Sequence, residues 1–166
     1  LDLPWEQFVA RLDSAIGATT FWAGLVKAPV FGLLIALTGT MRGLHYQIDP
    51  NAQGKLVYAL TGAIYDVAVD LRKDSPTFGK WVAQELRGGS GMALWIPAGF
   101  AHGFIALEDN SLLFYKCTGP WARESERSLA YNDPQVGIEW PIAPTTVSPK
   151  DAQAPTLDKA EYNFVF

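Results

Sequence analysis

One cysteine and two histidines in 166 residues leave little room for several kinds of chemistry. Cys117 alone cannot close an internal disulfide, and so low a Cys and His count excludes a zinc knuckle. Cys117 also sits in an apolar run, where a thiol reads as buried and inert rather than nucleophilic. That fits a reducing, cytoplasmic setting. The opening is acidic (Asp2, Glu6), with no basic start ahead of the first apolar segment, so no signal peptide is expected. Basic charge is not in excess either. The formal net charge is -4 and the pI about 5.1, so no nucleic-acid partner is expected. Charged residues make up 18%, against roughly 25% in a typical domain. There is no internal repeat and no low-complexity tract. The length suits one domain with a real core.

The shortage of charge is local. Trp5, Phe8, Val9, Leu12 and Ile16 recur at helical spacing and predict a short amphipathic helix over residues 1–18. From Phe21 to Met41 the only charge is Lys27, and residues 28–37 are an unbroken apolar run. Two helical readings stay open for it: a membrane-spanning segment with Lys27 at the interface, or a buried core helix with Pro29 in its first turn. Membrane association, if there is any, runs through Phe21 to Met41. After Arg42 the texture changes to short alternating segments separated by turn signals, which is the pattern of an all-β barrel or sandwich. Strands are expected near residues 55–60, 63–71, 81–86, 93–96, 103–107 and 111–118. In the second, Tyr65, Val67, Val69 and Leu71 share one face, with Asp66 and Asp70 on the other. From Asn132 the tail carries Pro134, Pro141, Pro144, Pro149 and Pro155 and should wrap the body as extended chain.

The two histidines, His45 and His102, are the natural general bases near neutral pH. Gly91, Pro97, Gly99 and His102 fit the spacing G-x5-P-x-G-x2-H, which resembles the second motif of the cupin superfamily of double-stranded β-barrels. Metal-binding cupins place a second histidine two residues after the first. Here that position is Gln47, and no third histidine exists, so no metal is expected.

A longer series of blocks then follows in order: Arg42-Gly43-Leu44-His45-Tyr46-Gln47, Gln53-Gly54-Lys55-Leu56-Val57, Asp66 to Arg72, Ser75 to Gly79, and Ile96 to Phe104. Tyr115-Lys116-Cys117-Thr118, Asn132-Asp133-Pro134, Gly137 to Pro141 and Ser148-Pro149-Lys150-Asp151 complete it. Together they resemble the dTDP-4-dehydrorhamnose 3,5-epimerases over about residues 39–157. The resemblance implies a cupin jelly roll, no cofactor, a homodimer, and a dTDP-4-keto-6-deoxyhexose substrate epimerised at carbons 3 and 5. It implies His45 as base held by Asp151, Tyr115 as proton donor, and Lys55 and His102 near the substrate carbonyl oxygen. Arg42 would grip the diphosphate, Trp121 would stack on the thymine where the family usually has tyrosine, and Glu126 and Lys150 would contact the nucleotide sugar. The remaining readings are a single-carbon epimerase or ketoisomerase of the same superfamily, and an inactive cupin that only binds sugar nucleotide.

Residues 1–38 do not match the family's N-terminal strands, which carry an arginine and a glutamate that bind substrate and help to build the dimer. Thr19 to Phe31 and the apolar run after it look instead like a transmembrane segment of the permease of MCE-type lipid transporters. The expectation is a chimera joined near Gly39 to Leu44, with a helical apolar segment foreign to the barrel over residues 1–38 and the cupin over 39–166.

Overall fold

The computed structural model describes residues 30–166. Among them the strands are β1 (Val30–Ala36), β2 (Thr40–Gln47), β3 (Lys55–Thr61), β4 (Ala63–Asp70), β5 (Trp81–Arg87), β6 (Leu94–Ile96), β7 (Phe100–Ala106), β8 (Ser111–Cys117), β9 (Glu126–Ser128) and β10 (Thr146–Val147). One short helix, α1 (Pro149–Ala152), follows them. A four-stranded sheet runs in the order β1-β8-β3-β6. A six-stranded sheet runs β10-β2-β7-β4-β5, with β9 added on β2. Every pairing is antiparallel except β10 on β2.

The core lies between the two sheets. Val57, Leu94 and Leu113 from the first meet Ile64, Leu86 and Phe104 from the second, each such burial contributing about 1.5–3 kcal/mol. A second cluster covers the outer face of the six-stranded sheet. There Leu44, Val67 and Val69 pack under Leu129, just after β9, and under Val136, Leu157 and Phe164 of the tail. The tail wraps as its prolines predict, with only β10 and α1 as regular pieces. With both faces covered, β4 is buried along almost its whole length. The split of its side chains over two faces holds, but the face carrying Asp66 and Asp70 is the barrel interior, where they are 0% and 1% exposed.

The helical reading of the apolar run is corrected where the structure describes it. Val30–Ala36 is a strand, paired with β8 from Val30↔Cys117 to Ala36↔Ser111. Its outward residues Leu33 and Ile35 are 61% and 72% exposed. A strand that is apolar on both faces shows no alternation, so the run reads as helix. The amphipathic helix expected over residues 1–18, and the rest of the apolar segment up to residue 29, lie outside the described residues. Among the described residues no helix is long and apolar enough to cross a membrane. β7 also starts earlier than expected, at Phe100, which places His102 within the strand.

Candidate active site

β2 positions most of the site, and it does so through a bulge. Arg42 pairs with Phe104, but His45 pairs with His102, so one extra residue is taken up between them. Strict alternation would send Arg42 and His45 to opposite faces; the bulge turns both toward the same cavity. Gly43 makes this feasible. Its φ is +111°, and a Cβ there would stand 2.6 Å from the Gly103 Cα. Only two glycines let these strands approach so closely.

The cavity, about 320 Å³, opens between the sheets. Of the predicted site residues, Arg42, His45, Lys55, His102, Tyr115, Trp121 and Glu126 line it. Asp151 stands behind His45, and Lys150 approaches from outside to pair with Glu126 at 2.9 Å. The sequence order of these residues spans 109 positions (Arg42 to Asp151), and the two sheets bring them together.

His45 Nε2 lies 2.6 Å from Asp151 Oδ1. The aspartate is delivered by the tail: β10 pairs beside the start of β2, and Ser148 then caps α1, its hydroxyl accepting from the Asp151 amide at 3.1 Å. The Gly43 N–H reaches the second carboxylate oxygen at 3.4 Å. Burial pushes the Asp151 carboxyl up, but the hydrogen bond and charge of His45, with Ser148 and Gly43, outweigh it and hold it below the usual carboxylate range. An ionised carboxylate therefore fixes the His45 tautomer and leaves Nδ1 as the basic nitrogen.

Lys55 begins β3 in the opposite sheet, and its Nζ donates to the His45 carbonyl at 3.1 Å. Burial pulls its pKa below the ordinary lysine value, while Cys117, Asp66 and Glu126 pull the other way. Tyr115, on β8 between Gly32 and Val57, enters the cavity from that same opposite sheet. A Cβ on Gly32 would fall 2.2 Å from the Tyr115 hydroxyl, so the phenol leans across the glycine. Trp121 stands at the rim, 60% exposed. Burial raises the Glu126 carboxyl, but Lys150 above all, with His45 and the Trp121 indole, brings it below its usual range.

One site residue escaped the sequence reading. His102 Nε2 lies 2.7 Å from Asp66 Oδ1, a second His–Asp pair reached diagonally between neighbouring strands. The signal was present: an acid flanked by apolar residues inside a strand. Among the described residues no group of three or more His, Cys, Asp and Glu could hold a metal ion. The side-chain amide of Gln47 is committed to the backbone of Asn51, Pro120 and Ala122.

A jelly-roll barrel with a carboxylate-held histidine facing a tyrosine and a lysine across its cavity defines a cupin of the acid–base type. A model of the dTDP-4-dehydrorhamnose 3,5-epimerases matches residues 34–159. The chain belongs to that family. The epimerase of Sinorhizobium fredii is 49% identical over 134 residues, covering 80% of this chain and 69% of its relative. Among solved structures, dTDP-6-deoxy-D-glucose-3,5-epimerase of Legionella pneumophila, in complex with dTDP-4-keto-L-rhamnose, superposes with a TM-score of 0.79. It is 42% identical and covers 89% of this chain and 79% of its own. A 3'-monoepimerase of Streptomyces bikiniensis, in complex with dTDP-quinovose, gives 0.77 at 34% identity, covering 86% and 73%. A model of the permease MlaE matches residues 1–63 and so overlaps the epimerase match. The described part of that overlap is barrel: β2 and β3 are strands of its two sheets.

Proposed function

We propose that this chain epimerises carbons 3 and 5 of dTDP-4-dehydro-6-deoxy-D-glucose, giving dTDP-4-dehydro-L-rhamnose for dTDP-rhamnose synthesis, with His45 as base and Tyr115 as acid. The single observation that carries the assignment is the 2.6 Å His45–Asp151 pair, set on one sheet of a cavity whose other sheet presents Tyr115 and Lys55.

The hydrogens on carbons 3 and 5 are acidified by the neighbouring ketone. His45 removes one, and the C–H electrons move into the ring to form an enolate. The imidazolium is stabilised by Asp151. The Lys55 ammonium, with His102 beside it, offsets the charge that develops on the enolate oxygen. Tyr115 then returns a proton from the opposite face, inverting the carbon. No electrons leave the substrate, so the step needs no redox cofactor. Arg42 suits the diphosphate through its planar donor fork, Trp121 offers a stacking face to the thymine, and the Glu126–Lys150 pair closes the nucleotide end. A homodimer completes the proposal, on family resemblance. So does the junction near residues 39–44, on the permease match over residues 1–63.

The test is solvent deuterium uptake into dTDP-4-keto-6-deoxyglucose, followed by mass spectrometry beside His45→Ala. Two deuterons, lost in the variant, are expected. Uptake that persists in His45→Ala would remove the base assignment. The likeness to a 3'-monoepimerase keeps a single-carbon outcome in view; one deuteron would assign it.

A further inference from the structure

We propose that Gln47 is a positioning residue whose side-chain amide brackets Trp121 and holds that indole as the platform for the pyrimidine base of a nucleoside diphosphate. The proposal rests on the reading of Trp121 as the base-stacking residue and gives that surface its support.

Trp121 is 60% exposed. Packing holds so exposed an indole weakly, so its place is set by its hydrogen bond to Glu126 and by the backbone on either side of it. Both sides end on one side chain. Gln47 Nε2 donates to the Pro120 carbonyl at 3.2 Å, and Gln47 Oε1 accepts from the Ala122 amide at 2.7 Å. The second Nε2 hydrogen goes to the Asn51 carbonyl at 2.6 Å. Gln47 is 5% exposed, so these bonds form away from water, where leaving any of them unmade is costly. Gln53 supports the same loop from the half-buried side, donating to the Gly119 carbonyl at 2.7 Å and also to Pro120.

The residue type follows from this pattern. A glutamate would turn a carboxylate oxygen toward two carbonyls, and a hydrophobe would leave the Asn51 carbonyl and the Ala122 amide unpaired, with Pro120 held by Gln53 alone. The placement has a consequence for the reaction. Gln47 lies two residues after His45 on β2, so one strand carries the base and sets the platform for the far end of the same ligand. The separation between the reacting carbon and the stacked base is thus fixed by a single backbone.

The measurement is the affinity of the full chain for dTDP by titration calorimetry, together with steady-state kinetics. Gln47→Met should weaken dTDP about tenfold and raise KM by a like factor, with kcat kept within about twofold. Gln53→Ala should act in the same direction, less strongly. In a Trp121→Ala background neither substitution should weaken dTDP further, because the group they position is gone. Unchanged dTDP affinity in Gln47→Met overturns the proposal. So does equal weakening with and without Trp121, or a fall in kcat at constant KM. If Gln47→Met does not fold, the Gln53→Ala cycle with Trp121→Ala decides by the same criteria. A protein that binds dTDP through Gln47 and Trp121 yet takes up no deuterium would refute the epimerase reading and leave this inference standing.

Discussion

His45 and His102 face each other in register on β2 and β7, and each holds Nε2 against an aspartate, at 2.6 Å and 2.7 Å. The two aspartates differ in everything else. Asp151 arrives from the tail, 106 residues from its histidine, and has further donors in Ser148 and the Gly43 amide. Asp66 comes from the adjacent strand, is 0% exposed, and its Oδ2 has no hydrogen-bond partner. The first carboxylate is built to stay ionised beside a histidine that is 30% exposed and lines the cavity. The second holds a ring that is 13% exposed. On the proposed mechanism, two pairs with one geometry serve two purposes: one prepares a base, the other orients a donor toward the oxygen.

If that distinction is right, replacing His45 by Ala or Asp151 by Asn should cost on the order of 10³-fold in kcat, within the range for general-base catalysis. His102→Asn should cost roughly 10-fold to 100-fold, because it removes only part of the charge stabilisation. Equal losses in a turnover assay would collapse the comparison.

Stability separates the pairs next. Asp151→Asn breaks a fully engaged buried carboxylate and should destabilise by about 2–3 kcal/mol in urea at pH 7. Asp66→Asn removes a charge whose second oxygen is already unpaired and should shift stability by less than about 1 kcal/mol. A larger loss for Asp66→Asn would show that its charge is satisfied in a way the geometry does not display.

The smallest effect is the pH dependence. The folded pKa of Asp151 is depressed, so its contribution is complete above the unfolded value of about 3.9 and is lost as pH falls through the folded one. The stability gap between wild type and Asp151→Asn should therefore narrow as urea titrations move from pH 6 toward pH 2. A gap that stays constant would contradict the ionised-carboxylate account.

Much of the barrel was legible because its interior strands alternate and its turns are marked by glycine and proline. The ordered motif blocks singled out His45, Lys55 and Tyr115, which line one cavity, and Asp151, which pairs with His45. Two things were hidden, for related reasons. β1 is apolar on both faces, with Leu33 and Ile35 outward and Leu34 and Ala36 inward, so its period of two left no trace. Asp66 was assigned to a polar face, which in an ordinary sheet is the wet one. In this sheet the tail covers the apolar face, and the polar residues point into the barrel. Burial of both faces is a tertiary outcome, and neither composition nor spacing carries it. Gln47 was noticed only as a missing metal ligand. Two of its three partners lie more than seventy residues away, at Pro120 and Ala122.

The tail-borne aspartate also has a bearing on how the protein is made. With 106 residues between His45 and Asp151, and ribosomes adding roughly 5–20 residues per second, the imidazole waits about 5–20 s for its carboxylate. During that interval the sheet carrying His45 also lacks the tail residues that cover its outer apolar face, so the growing chain passes through a stage with exposed sheet and an unfinished base. On the proposed mechanism, catalytic competence has to wait until the segment carrying Asp151 has been made.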